Sequence, residues 1–406
     1  MTQQADALGI QLFDSRYLQD PYPLYERMHA SGPVHRVGDS DFYAVSAWDA
    51  INEAVTRCDD FSSNLTATMK YDNDGTVSAF AMDALGGATQ VLATADDPAH
   101  AAHRKALVRH LAAKRIGTAE PFIAETATRL WDANGRGGRI EWMSAVANRL
   151  PMMVVGRIIG VPDEDVDSLV AWGYAATQLL EGLVDDDVRT AASIAVMELS
   201  GYITDQFHHA AGSPRDNLLG DLATACAASE MDDIAAQVMM ITLFSAGGES
   251  TASLIGSAAW VLATRPDIQQ QVRDQPESFG AFLEEVLRFE PPFRAHYRHV
   301  VGDTTLGGVD LPAGSRLILL WGAANRDPSH FDDPESFRLD RAVGKRHIAF
   351  GKGAHFCVGA ALARLEATIV LSQLLQRTTR IRAAETGRWL PSLLVRRLER
   401  LELEFL

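Results

Sequence analysis

The chain has 406 residues, 47% hydrophobic and 22% charged, with a formal net charge of −16. That composition supports a sizeable core and excludes a disordered chain, and the acidic balance argues against non-specific binding to DNA or anionic lipid. The three cysteines, Cys58, Cys226 and Cys357, are too few for a disulfide framework, form no C-x-x-C zinc pair and fall short of an iron–sulfur ligand set.

The start, M-T-Q-Q-A-D-A-L-G-I, has neither the basic residues nor the apolar core of a secretory signal. V-H-R-V near 34 and F-Y-A-V at 42–45 read as short strands. Residues 71–89 form a long, glycine-containing stretch consistent with a mobile lid. In D-P-A-H-A-A-H-R (97–104), His100 and Arg104 stand at i and i+4 on one helical face, where they can clamp a carboxylate; His103 is out of phase with them. From about 100 to 290 apolar residues recur three and four apart, which reads as mostly helix. Turn signals interrupt it at N-G-R-G-G (134–138) and at A-G-S-P-R-D-N (211–217), whose tail can open the next helix.

The longest predicted helix covers 231–264 and stops before Arg265-Pro266, with Asp232 and Asp233 at its positive end. Its length would span roughly 50 Å at 1.5 Å per residue, enough to cross a domain. The apolar run I-A-A-Q-V-M-M-I-T-L-F-S-A-G-G meets polar residues and glycine before it reaches about 18 residues, so no membrane span and a soluble, cytoplasmic protein are expected. A-G-G-E-S-T (246–251) lies in the middle of this helix. Two adjacent glycines cost about 1 kcal/mol each there, and permit a kink or a widened groove with freed carbonyls. Glu249, Ser250 and Thr251 then set proton-carrying groups among apolar neighbours. In E-E-V-L-R-F-E-P-P (284–292), Glu285 and Arg288 are three apart on one face and form an ion pair. T-L-G-G-V-D-L-P-A-G-S-R-L-I-L-L (305–320) reads as a hairpin followed by a further strand. No G-x-G-x-x-G joins a strand to a helix, so a dinucleotide-binding module is absent.

F-G-K-G-A-H-F-C-V-G (350–359) carries the strongest signal. Its glycines permit tight turns, and Gly359 precedes the helical run A-A-L-A-R-L-E-A-T-I-V. A cysteine at a helix N-terminus has its thiolate favoured by the dipole and by unpaired N–H groups, which suits a soft or redox-active metal, haem iron above all.

At these residues the chain resembles the cytochrome P450 family, whose haem-thiolate loop is F-G-x-G-x-H-x-C-x-G. The resemblance runs through the motifs from about 97 to 359 in the family's order and implies a fold: one mainly α domain over 1–406 with a small β-rich lobe. That lobe takes about 30–60, 300–322 and the C-terminal strands; the helical lobe takes about 97–290 and 358–378, with the long helix lying over haem. It implies haem b (iron protoporphyrin IX), with Cys357 as the metal ligand. Phe350, Gly359, Ala246 and Gly247 would lie around it, and His100, Arg104, Arg298 and His355 would hold its propionates. A-G-G-E-S-T is similar to the distal motif in which acid and alcohol deliver protons to oxygen at the iron. The family usually has threonine directly after the acid, so the match favours Ser250, with Thr251 next to it. Glu285 and Arg288 match the structural E-x-x-R element, whose second arginine is replaced by Ser336; Arg338 or Arg341 is the substitute.

The resemblance further implies monooxygenase activity: hydroxylation, epoxidation or oxidative dealkylation of a small organic molecule with O2. Electrons would come from a separate ferredoxin and ferredoxin reductase, since the length leaves no room for either. Lys345, Arg346, Lys352 and Arg364, with Lys105, Arg109, Lys114 and Arg115, are candidates for the docking face. The pocket is expected near 64–92 and 170–190, at Ala246 and Gly247, at Phe293, Arg294 and Ala295, and at Leu393 and Leu394, with Arg294 as an anchor for a carboxylate-bearing substrate. A peroxide-driven or rearranging haem enzyme, a haem sensor and a cysteine hydrolase are the other readings.

Overall fold

Helices dominate, as the spacing of apolar residues dictates; the computed structural model describes residues 8–82, 89–181, 183, 186–213, 215–341, 347–385 and 387–406. In chain order they are α1 (Ser15–Gln19), α2 (Tyr22–Ser31), α3 (Trp48–Thr56), α4 (Ala99–Val108), α5 (Ala113–Asn134), α6 (Arg149–Ile159) and α7 (Val166–Gln178). Then follow α8 (Asp186–Gly212), α9 (Leu218–Ala227), the long α10 (Asp233–Thr264), α11 (Pro266–Asp274), α12 (Phe279–Phe289), α13 (Trp321–Ala324) and α14 (Ala360–Gln376).

The main sheet has the order β1 (Val34–Arg36), β2 (Phe42–Val45), β10 (Arg316–Leu320), β7 (Ala295–Val300), β3 (Phe61–Ser62). Only the β2–β10 pair is parallel among these, and it joins a strand near residue 45 to one near residue 320. β4 (Ala67–Tyr71) pairs with β5 (Val77–Ala81), and the expected hairpin appears as β8 (Thr304–Leu306) with β9 (Val309–Leu311). β6 (Arg139–Glu141) joins β14 (Glu402–Phe405) and β11 (Ile381–Ala383), while β12 (Arg388–Trp389) pairs with β13 (Leu398–Arg400). The expected lid at 71–89 is corrected in part: a strand pair covers 67–81, and 83–88 lie outside the described residues.

Helix α10 begins where Asp232 accepts from the Ala235 N–H at 2.8 Å. It is apolar and long enough, by length and composition, to cross a membrane, yet residues 251–259 are all buried among the other elements, the packing of a core helix. Its regularity breaks at Phe244–Gly248, one π-helical turn between two α-helical halves. The glycine pair makes this possible by close approach. A Cβ on Gly248 would stand 2.5 Å from Met152 Cε, and one on Gly247 would stand 2.9 Å from Val155 Cγ2, both side chains of α6. The expected widened groove is therefore a π turn, a device frequent at functional sites.

The E-x-x-R pair is an interior charge cluster. Arg288 donates to both oxygens of Glu285 at 2.9 and 2.8 Å, and to the carbonyls of Asn325, Pro334 and Ser336. Arg341 supplies the second guanidinium, at 2.9 Å from Glu285 Oε1, and Arg338 offers only its backbone N–H. Ser336 takes part through its carbonyl, which accepts from both arginines. Removing one partner of a buried pair strands the other charge, so Glu285→Ala is expected to cost ~3–5 kcal/mol. Arg341→Ala leaves the Glu285–Arg288 pair intact and is expected to cost less, about 1–2 kcal/mol. Urea unfolding of both variants measures the difference, and equal losses would refute the ranking.

Candidate active site

The cysteine loop is shaped by two glycines with left-handed backbone, Gly351 at φ 69° and Gly353 at φ 68°. A short 3-10 turn (Gly353–His355) follows, and the Cys357 N–H donates to the Phe350 carbonyl at 2.8 Å, folding the loop back just before α14. Arg364, one turn into α14, lies 4.4 Å over the Phe350 ring and donates twice to Glu284, which His347 also contacts at 3.2 Å. The loop is thus lashed to α12 on its outer side. Cys357 has accessible surface toward the cavity, yet the protein packed around it disfavours the thiolate and pushes the thiol up; the N–H groups of Gly359 and Ala360 and the charges of Arg104 and Arg364 oppose it. A coordinating metal reverses that balance, because a metal-bound thiol is deprotonated outright.

Cys357 lines a large cavity whose walls come from α4, α6, α9, α10, α14 and the ends of the main sheet. Phe350, Gly359, Ala246, Gly247, Ser250, Thr251, Leu254, Phe293 and Trp321 share it. So do His100, Arg104, Arg298 and His355, from three separate stretches of chain. The rings of His100 and His355 lie 4.0 Å apart. Arg104 donates to the Phe356 carbonyl at 2.8 Å and Arg298 to the Tyr297 carbonyl at 2.9 Å; neither forms an ion pair among the described residues, and Asp96 acts on Arg298 only from a distance. Burial, with Arg298 and His100 nearby, lowers His355 to about 4, so it is a neutral imidazole rather than a cation. Its Nε2 meets Ser63 Oγ at 2.9 Å and its Nδ1 has no partner among the described residues.

Two further groups escape the sequence reading. His296 lines the cavity, is lowered to about 4 by burial, and accepts from Trp321 Nε1 at 2.6 Å through Nδ1, which leaves the proton on Nε2. Glu366 of α14 also lines the cavity, is buried, has one carboxyl oxygen with no hydrogen-bond partner among the described residues, and is raised well above its ordinary range by burial. Both sit in runs whose neighbours are charged or apolar for other reasons, so no spacing marks them.

The polar turn of α10 divides. Ser250 and Thr251 both line the cavity, and Ser250 Oγ donates to the Ala246 carbonyl at 2.5 Å. Glu249 does not line it. That carboxylate is 1% exposed and accepts from Arg397 Nε at 3.1 Å behind the turn.

Four expected pocket residues are corrected. Arg294 is 2% exposed and donates to the carbonyls of Leu18, Ser392 and Tyr17; it staples separate chain segments together and does not line the cavity. Ala295, Leu393 and Leu394 are buried in the core beside the main sheet and do not reach the cavity. Nor do the described residues of 170–190, whereas Leu92, at the end of the expected 64–92 stretch, and its neighbour Ala93 do. The expected docking cations are largely spent on neighbours. Arg364 is paired with Glu284, Arg109 with Asp216 and Asp221, and Arg115 with Asp216, while Lys352 bonds Asn52. Lys105 and Lys114 remain exposed, and Lys345 and Arg346 lie outside the described residues.

This donor set fits haem. A single sulfur ligand, two guanidinium groups without carboxylate partners and a buried imidazole nitrogen without a partner surround an otherwise apolar cavity. A buried guanidinium without an ion-pair partner, as at Arg298, is costly, and a porphyrin carrying two propionates would supply anionic partners to it and to the half-buried Arg104.

A family model described as Cytochrome P450 matches residues 279–381. Over 391 residues the chain is 68% identical to Cytochrome P450 144 of Mycobacterium tuberculosis, covering 96% of this chain and 90% of that protein. It is 29% identical over 370 residues to Vitamin D(3) 25-hydroxylase of Pseudonocardia autotrophica, covering 89% and 87%. Among solved structures, ligand-free CYP164A2 of Mycobacterium smegmatis superposes with a TM-score of 0.87 at 28% identity, over 98% of this chain and 100% of that one. Myxobacterial CYP267B1 in complex with myristic acid also gives 0.87 at 28% identity, over 98% and 99%.

Beside the site, Glu181 follows α7 and accepts from Ser392 Oγ and from the Leu393 N–H at 2.9 Å. Burial pushes it up to about 7 from an ordinary 4.5. Between those values the folded protein holds a proton that the unfolded chain has released. Stability therefore falls as pH rises from about 4.5 to about 7, by on the order of 3 kcal/mol in all. Urea unfolding at about pH 5 and about pH 8 should show this loss in the wild type and not in Glu181→Gln; identical pH responses would remove Glu181 as its source.

Proposed function

The chain belongs to the cytochrome P450 family, and from that membership we propose that it is a haem b monooxygenase acting on a small organic molecule. The reaction would be hydroxylation, epoxidation or oxidative dealkylation with O2. One observation carries the reading: Cys357 at the start of α14 and the π turn of α10 line the same cavity, which Arg104 and Arg298 also line without forming an ion pair among the described residues. When bound, haem ligated by a cysteine thiolate supplies oxygen activation and insertion, the chemistry that thiolate donation favours.

The chain's own residues hold, orient and protonate. Cys357 would provide the sulfur that holds haem, and it is kept in place by its N–H bond to Phe350 and by the Arg364–Glu284 lashing. Arg104 and Arg298 offer charge to the propionates, and His100, His355 and His296 surround the same groups as further donors. Ser250 spends its proton on the Ala246 carbonyl, so its oxygen is free to accept, and Thr251 stands beside it at the wall. Glu249 stores the proton these hydroxyls pass on. An acid adjoining wall hydroxyls favours turnover driven by O2 over turnover driven by peroxide, which needs no such delivery. Ala246, Gly247, Leu254 and Phe293 exclude water and give an apolar substrate its surface.

Electrons would arrive from a separate ferredoxin and its reductase. Val108 and Phe356 are 50% and 45% exposed, and with Lys105 they offer an apolar patch with a positive rim near the cysteine loop. The bacterial relatives support a cytoplasmic location.

The test is the spectrum of the reduced, carbon-monoxide-bound protein. A long-wavelength Soret band, lost in Cys357→Ala, is expected; a short-wavelength band in the wild type would refute thiolate ligation. In a ferredoxin-driven assay Ser250→Ala is expected to keep consuming reductant and O2 while product per electron pair falls about tenfold or more. Unchanged coupling would transfer the role to Thr251.

A further inference from the structure

The acid behind the π turn is served by the far end of the chain. Arg397 is 148 residues from Glu249 in sequence, and its side chain is 10% exposed. Its guanidinium lies 4.3 Å over the ring of Tyr174 in α7, whose hydroxyl donates to Asn148 Oδ1 at 3.1 Å. The arginine is therefore fixed on one face by an aromatic ring that is itself held. Glu249 uses one oxygen for Arg397; its other oxygen is buried without a well-formed hydrogen bond among the described residues, with the Thr177 hydroxyl the nearest donor to the carboxyl besides Arg397.

The segment leading to Arg397 is fastened independently. Arg396, the preceding residue, faces the other way and donates to Glu290 at 2.7 Å and to the Gln19 carbonyl at 2.7 Å. Its own carbonyl accepts from Ser253 Oγ, one turn beyond Glu249 on α10. Upstream, Glu181 takes the Leu393 N–H at 2.9 Å. Arg397 thus reaches Glu249 from a rigid strap and adds little to holding that strap down.

We propose that Arg397 is a positioning residue for proton delivery, fixing the carboxylate of Glu249 behind the turn and stabilising the charge left each time it gives up its proton. The proposal rests on the monooxygenase reading. A carboxylic acid releases its proton only as far as the remaining carboxylate is stabilised, and Arg397 is the cation that touches it among the described residues. The proton given up by the Glu249 carboxyl passes toward the wall hydroxyls once its side chain or a water bridges the turn, and a proton from solvent replaces it, so the acid returns to its starting state each cycle. Burial raises Glu249, and Arg397 first, then Thr177, bring it back down. Glu181 and Tyr174 are the other titratable groups whose charge couples to these residues, and neither is a cation. Without Arg397, Glu249 titrates at higher pH and the charge it must carry is unsupported.

The decisive comparison uses Arg397→Met, Arg397→Lys, Glu249→Gln and the double variant Arg397→Met/Glu249→Gln, which removes both charges and so keeps a folded reference. Infrared titration of the carboxyl C=O band that Glu249→Gln abolishes reads the acid directly, without turnover. That band is expected to titrate at higher pH in Arg397→Met and near the wild-type position in Arg397→Lys. Product per electron pair should fall about tenfold in Arg397→Met, recover in Arg397→Lys, and show no further fall when Arg397→Met is added to Glu249→Gln. An unmoved carboxyl band, or losses that add in the double variant, would overturn the role of Arg397. If Arg397→Met does not fold, Arg397→Lys against wild type and the double variant against Glu249→Gln decide the same question. A wild type lacking the long-wavelength carbonyl band overturns the monooxygenase reading instead, and that band is read separately from the carboxyl titration.

Discussion

Everything at the cavity depends on α10 losing its regular hydrogen bonding for one turn without ceasing to be a helix. Met152 and Val155 press into the space above Gly248 and Gly247, and a side chain at either glycine would have to displace those two side chains of α6. Close contact and the π turn are one event: the glycines give up helix propensity, α6 fills the hollow they leave, and the turn is held open by packing. The wall hydroxyls, the cavity below them and the acid behind them take their places from that turn. A regular helix through 244–248 would rotate the residues after it by a fraction of a turn and exchange which of Glu249, Ser250 and Thr251 faces inward.

The interior carboxylates fall into an order that parallels their uses. Glu285, Glu290 and Glu284 are saturated by arginines, and against burial His347 and Arg364 hold Glu284 down at about 2. Those three tie α12 to the cysteine loop, to the C-terminal strap and to the stretch around Ser336. Glu181 has donors but no arginine, and so sits at about 7. Glu249 has one arginine on one oxygen, and Glu366 has no cation beside it among the described residues. Fully paired charge stiffens the frame, since each of these carboxylates is held by several donors from separate segments at once. Partly paired charge is where a proton can come and go, and those groups are found at the cavity or directly behind its wall.

The sequence disclosed what is local. F-G-K-G-A-H-F-C-V-G, the i and i+3 pair Glu285–Arg288, the i and i+4 pair His100–Arg104 and the glycine pair in α10 are readable because neighbours a few residues apart decide them. Arg294 and Arg298 show where that ends. Both are arginines four apart around the start of one strand, yet Arg298 lines the cavity and Arg294 is consumed by the carbonyls of Tyr17, Leu18 and Ser392. Partners 98 to 277 residues away leave no periodic trace. The missing arginine at Ser336 is similar: the position still works, through a backbone carbonyl that any residue would present, while Arg341 brings the charge from five residues further on. Strand β7 escapes the sequence reading for a related reason. Its alternation includes His296 and Arg298, polar residues that line a cavity, so the usual apolar pattern of a buried strand is absent.

The C-terminal strap carries this logic furthest. In an extended chain successive side chains point to opposite sides, so two adjacent arginines must serve two different carboxylates. Arg396 goes to Glu290, where Tyr22 also donates at 2.6 Å and Arg326 lies 4.0 Å away, a knot that joins α2, α12 and the strap. Arg397 goes to Glu249, whose second oxygen has no hydrogen-bond partner among the described residues. One arginine is thereby locked into structure and its neighbour is left facing an acid that is half satisfied. Two adjacent arginines reaching opposite carboxylates thereby separate the charge that holds the fold together from the charge that the chemistry can use.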